Sequence, residues 1–208
     1  MKNLQRTVLV LLALFLCLAQ TAFASGVVNL SDSERRAMNL FLSNFTEVGR
    51  DIAFYSGDAA LVDFAHDHLW FNDYDSFEYG EYFNDNNCRV ADNRIQEIID
   101  RYFDGAFQVD LSQSRFDYDG EYYYHIETGG GANGGFALTL NAYAADDNRY
   151  YVSFLTFGAG DNWSGDDLKL NFADAEMKFG VPAHGGHAWI TASDLSDRST
   201  YRMVSFSY

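Results

Sequence analysis

The sequence predicts an α+β domain, with three N-terminal helices packed on one face of a C-terminal antiparallel β-sheet. Three observations carry this. Apolar residues recur at helical spacing from Ala37 to Phe103. Beyond Gly105 the period drops to two. The strand-like runs there follow one another through short turns, which favours antiparallel pairing with the helices on one face.

The first helix is read in "LSDSERRAMNLFLSNFTEVG". Ser31 with Glu34 three residues on is a capping box, and Gly49 is a stop. Ala37, Met38, Phe41, Leu42, Phe45 and Val48 form one apolar stripe. The second helix is "DAALVDFAHDHLWF", capped by Asp58, with Leu61, Ala65 and Leu69 facing inward. His68 falls within its apolar arc, His66 at the edge, and Asp63 and Asp67 point away. His66 and His68 are two residues apart on a helix and cannot share one metal ion. The third helix, "DNRIQEIIDRYFDG", has Asn93 and Gln96 as a capping box and Gly105 as its end. A short strand around Cys88–Val90 precedes it.

The second half reads as strands. "SRFDYDGEYYYHI" is a hairpin turning at Asp119-Gly120, a type I′ signal. "GGFALTLNAYAADD" and "NRYYVSFLTFGAG" alternate, "DLKLNFADAEMKF" is a further strand, and "GHAWITASDLSDRSTYRMVSFSY" closes the sheet as a hairpin.

Two basic residues, an apolar run "TVLVLLALFLCLAQ" and the small-residue site Ala22-Phe23-Ala24 predict a secretory signal peptide, residues 1–24. One secreted or periplasmic domain, 25–208, follows. No later segment is apolar enough to span a membrane once the signal is cleaved. The formal charge of -16 becomes -18 when Lys2 and Arg6 leave. Such a surface disfavours nucleic acid and anionic lipid as partners. Cys17 leaves with the signal, so Cys88 stands alone and no internal disulfide forms.

Several constellations offer chemistry. Trp163, Tyr79, Tyr82 and Trp189 are candidates for an aromatic ligand-binding surface, with Trp163 in "GDNWSGDD" the most exposed by its neighbours. Asp161, Asp166 and Asp167 group oxygen ligands near glycine, an alternative metal reading for calcium, without the twelve-residue EF-hand spacing. "VPAHGGHAWI" holds His184 and His187, which a shared zinc would need to join to a third ligand; otherwise they mark a loop entering a strand. "GGGANGG" lacks the Lys-Ser/Thr of a phosphate loop. No cofactor is implied.

Three resemblances follow from these residues. "GHAWI" resembles the histidine strand of transglutaminase-like enzymes, which implies a thiol-dependent hydrolase or acyltransferase using Cys88, His187 and Asp194 or Asp197. The cysteine segment "NNCRVADN" departs from that family, having neither tryptophan nor glycine before the cysteine. The order helix, helix, short strand, helix, meander resembles the cone of nuclear-transport-factor-2-like domains. "LFLSNF" and "YRMVSFSY" resemble segments of an uncharacterised group of secreted bacterial proteins. The expected function is a secreted, non-catalytic bacterial binding module for a cationic peptide, cell-wall fragment or glycan, with the thiol hydrolase as the alternative.

Overall fold

Helix α1 (Asp32–Val48) begins where the capping box places it. The Ser31 amide donates to Glu34 Oε2 at 2.7 Å, and the Glu34 amide reaches Ser31 Oγ at 3.4 Å. In this computed structural model, residues 26–48, 57–82, 85–103, 109–127, 135–145, 148–158 and 163–208 are described. Residues 1–24, read as a signal peptide, together with Gly49, Gly105, Asp161 and residues 129–134 of the glycine-rich loop, lie outside them.

The chain is α+β, with four helices and two antiparallel sheets among the described residues. After β1 (Gly26–Val27) and α1 come α2 (Asp58–Asn72), β2 (Glu78–Tyr79), β3 (Cys88–Ala91) and α3 (Asp92–Tyr102). Then follow β4 (Asp117–Tyr118), β5 (Tyr122–His125), β6 (Gly135–Ala144), β7 (Arg149–Gly158), α4 (Phe172–Phe179), β8 (His184–Thr191) and β9 (Arg202–Ser207). The large sheet has the order β1-β6-β7-β8-β9 and the small one β2-β3-β5-β4. The expected single sheet is therefore two, and a fourth helix stands between β7 and β8.

That fourth helix replaces the strand expected in "DLKLNFADAEMKF". Asn171 caps it by accepting from the Asp174 amide, and Gly180 ends it at φ +85°. Phe172, Ala175 and Phe179 meet the outer face of the large sheet at helical spacing, against Phe136, Leu138, Leu155 and Phe157.

Helix α1 has two buried stripes. Met38, Phe41, Leu42 and Phe45 enter the main core. Asn39, Ser43 and Thr46 lie instead along the part of the β6 edge that β1 does not pair, Gly135 to Thr139. Asn39 Oδ1 accepts from the Thr139 amide at 2.7 Å, Ser43 Oγ from the Ala137 amide at 3.0 Å, and Thr46 Oγ1 donates to the Gly135 carbonyl at 2.6 Å. A polar helix stripe thus satisfies a strand edge that would otherwise be buried unpaired or left open to another chain.

Helix α2 differs from its reading. Gly57, not Asp58, occupies the cap position, and Asp58 accepts from the Asp110 amide. His66 and Asp63 are buried as well as His68. The reason is the small sheet and the 109–116 segment, which cover the face that a single-sheet fold would leave to solvent; Asp63 Oδ1 accepts there from Ser114 and the Arg115 amide. Helix α3 forms without the Asn93–Gln96 box: Ala91 is its cap residue, and Gln96 donates to Asp100 instead. In the β4–β5 turn only Gly120 has positive φ, so the turn is not type I′; Asp119 Oδ1 holds it by accepting from the Glu121 and Tyr122 amides.

Candidate functional site

The residues of "VPAHGGHAWI" enter β8 as a loop-to-strand passage, with His184 its first strand residue, opposite Thr156. His184 and His187 are three apart on a strand and therefore face opposite sides. Ala188 and Ile190 turn into the core, while His187 and Trp189 turn to the outer face. Gly186 lies where a Cβ would come within 2.4 Å of the Phe154 ring, so the core side of β8 admits no side chain there.

On the outer face a row crosses every strand of the large sheet. Val27 is in register with Tyr143, Tyr143 with Tyr151, Tyr151 with Trp189, and Trp189 with Ser205. Ring centroids are 6.3 Å apart for Tyr143–Tyr151 and 5.3 Å for Tyr151–Trp189. The aromatic rings are half-buried and Val27 is 63 % exposed. Their inward neighbours Ala142, Val152 and Ala188 are core residues. The bulge between Thr139 and Asn141 makes this face continuous with Phe136 and Leu138, which α4 covers at the other end of the sheet. The open part is lined by polar groups: Asn141 opposite Ser153, Ser153 opposite His187, and His187 opposite Ser207, with His187 Nε2 3.0 Å from Ser207 Oγ. Arg149 and Arg202, both opposite Thr191, border the row at one end.

The other expected ligand residues are distributed elsewhere. Trp163 is not an exposed platform; it packs 5.6 Å from Phe136, because α4 brings an apolar surface to it. Tyr79 is exposed beside Tyr74, with ring centroids 5.4 Å apart. Tyr82 lies under the Arg89 guanidinium. Tyr79 lies in the small sheet and Tyr82 in the segment after β2, and neither joins Trp189.

The expected calcium ligands diverge. Asp166 pairs with Lys169 at 2.7 Å. Asp167 is buried and pairs with Lys178 at 2.5 Å while accepting from the Ser164 amide. Lysine partners already neutralise both carboxylates. Among the described residues no group of three or more His, Cys, Asp or Glu is arranged to hold a metal ion.

The structure also separates Cys88 from His187. Cys88 lies in β3 of the small sheet within the core, whereas His187 is exposed on the large sheet. Asp194 turns its Oδ1 to the Ser196 amide and hydroxyl, and Asp197 caps the following turn. The imidazole beside Cys88 is His125, its register partner on β5. His125 Nδ1 is in turn 3.1 Å from His66 Nε2. Phe116 stacks on His66 at 3.6 Å, and Trp70 and Phe77 meet His125 edge-on.

This cluster has the composition of a nucleophile site and not its alignment. Cys88 Sγ is 3.7 Å from His125 Nδ1 and 3.5 Å from Nε2. Near-equal distances place the sulfur away from the lone-pair axis of either nitrogen, where a base accepts a proton. Burial, reinforced by the Glu127 charge, pushes the thiol up to about 12. Burial and the neighbouring His66 lower His125 to about 4. Both groups are neutral near pH 7, the reverse of an activated thiolate–imidazolium pair. Cys88 is accordingly expected to resist iodoacetamide in the native protein at pH 7–8 and to react fully once the chain is denatured. Alkylation of the native thiol at pH 6 at a free-thiol rate would contradict this environment.

No family model, curated protein or solved structure matches the chain. No helix among the described residues is long and apolar enough to cross a membrane.

Proposed function

We propose that this protein is an exported, non-catalytic bacterial binding module whose outer sheet face seats a glycan chain. The observation that carries this reading is the registered row Tyr143–Tyr151–Trp189, flanked by Asn141, Ser153, His187 and Ser207. Pairing on adjacent strands sets the rings 6.3 and 5.3 Å apart, on the scale of one hexose unit. Aromatic faces match the C–H faces of sugar rings, while amide, hydroxyl and imidazole groups match their hydroxyls. Among the glycan, cell-wall and cationic-peptide readings, the face favours a saccharide, since no carboxylate occurs among the register partners of the row. Export rests on the signal pattern of residues 1–24.

The reading is tested by co-sedimentation of purified protein with insoluble peptidoglycan, chitin and cellulose. Retention on one of them is expected, weakened about tenfold by Trp189→Ala and similarly by Tyr151→Ala, the equivalent of ~1.4 kcal/mol per ring. Retention that both variants leave unchanged would remove the row from the binding surface, and absence of retention on all three would count against a polysaccharide ligand.

A further inference from the structure

A second concavity is separate from the sheet face. It is an open groove of about 560 Å³ lined by residues of α1, α2, α3 and the Arg198–Thr200 turn. His68, Asn72, Tyr102, Arg94, Arg101 and Arg198 carry its chemistry. The chain as a whole has 30 acidic residues against 14 Lys and Arg, so three arginines on one groove are a local reversal of its charge.

The acids that line the groove are already matched. Arg94 Nη2 pairs with Asp73 Oδ2 at 2.8 Å, and Arg94 Nη1 pairs with Glu97. Arg101 and Arg198 make no ion pair with another described residue. Among the described residues they are therefore the groove's unpaired cations. The same groove is lined by His68, which is buried against the Phe64 face and meets Tyr102 edge-on. Asn72 Nδ2 lies 3.2 Å from His68 Nδ1 and also reaches the His68 carbonyl and Glu47. An amide nitrogen donating to Nδ1 leaves the imidazole proton on Nε2. Burial, then Arg101, lowers His68 to about 4, so it remains a neutral N–H donor at physiological pH. Ile98 and the Tyr102 ring provide apolar wall beside these donors.

From this geometry we infer that the groove binds an oxyanion, a carboxylate or a phosphate ester, carried on a small ring or apolar body. Arg101 and Arg198 supply the charge and the forked donors, and Tyr102 and Ile98 meet the body of the ligand. This site stands whether or not the sheet face binds a glycan.

The test titrates benzoate, phenyl phosphate and neutral benzamide at low ionic strength into isotope-labelled protein purified from its full coding sequence. Signals of His68 and Tyr102 report the groove by NMR. Saturable shifts with benzoate alone would assign a carboxylate, with phenyl phosphate alone a phosphate ester, and with both a general oxyanion seat. Arg101→Gln with Arg198→Gln is expected to weaken the response at least tenfold, as is Arg198→Gln alone to a lesser degree if the double variant fails to fold. Arg149→Gln, on the large sheet, is expected to leave it unchanged. No saturable shift with either anion, an equal response to benzamide, or equal binding in folded Arg198→Gln would overturn the inference.

Discussion

Replacing Phe45 by alanine is expected to cost about 3–5 kcal/mol of stability, the range for emptying a fully buried aromatic site. Phe45 is where three helices and the large sheet meet. Its ring stacks on Phe64 of α2 at 4.6 Å and on Phe206 of β9 at 5.5 Å. It meets Tyr102 at the end of α3 and Phe103 edge-on, and Phe41 one turn earlier at 5.3 Å. None of these partners can close the void without moving an element. Urea denaturation should show the midpoint falling with an unchanged slope, and the melting temperature dropping on the order of 10 °C. A loss below ~1 kcal/mol would mean that this aromatic junction does not hold the helices to the sheet.

The second large effect is acid destabilisation above the usual carboxylate range. His68 and His125 are each lowered to about 4, chiefly by burial, and His66 is lowered by burial as well. Unfolding restores all three to about 6.5. Between those values the unfolded chain binds more protons than the folded one. The stability that comes from keeping the rings neutral is therefore complete above about pH 6.5 and is lost as pH falls towards 4. His68 accounts for roughly 2–3 kcal/mol of this loss, and His125, nearer to solvent, for less. Stability measured by urea titration from pH 8 to 4 should decline through that window. His68→Phe, which cannot protonate, should flatten the decline. A profile that stays level down to pH 4.5 would show that the folded chain accommodates the charged rings.

Elements with strong local signals were legible in the sequence. The capping box at Ser31, the short strand at Cys88, and the strands β6, β7, β8 and β9 lie where the residues place them, although the bulge after Thr139 takes Leu140 out of the face shared by Phe136 and Leu138. The division into two sheets was not legible, because period-two alternation states which residues are strands and not which strands pair. That pairing decides the sites. It puts His125, 37 residues away, beside Cys88, where the resemblance of "GHAWI" to a histidine strand had pointed to His187. It also aligns Tyr143, Tyr151 and Trp189 from three strands; the sequence singled out Trp189 alone. Trp163 failed as an exposed residue for a related reason: its apolar neighbours come from β6 and a helix that the sequence read as a strand. The groove arginines carried no signal, since Arg101 and Arg198 converge only after α3 and the C-terminal turn are packed.

The most direct measurement of the sheet-face claim uses the three tryptophans of the chain. Their indole N–H groups give three NMR resonances, each assignable by single substitution. Trp70 packs against Tyr74, Phe77 and His125, and Trp163 against Phe136, whereas Trp189 lies in the open row. On titration with a soluble fragment of the polysaccharide that retains the protein, the Trp189 resonance is predicted to move saturably while the other two stay in place. Saturable binding that moves Trp70 or Trp163 and leaves Trp189 unaffected would contradict the assignment of the outer sheet face as the binding surface.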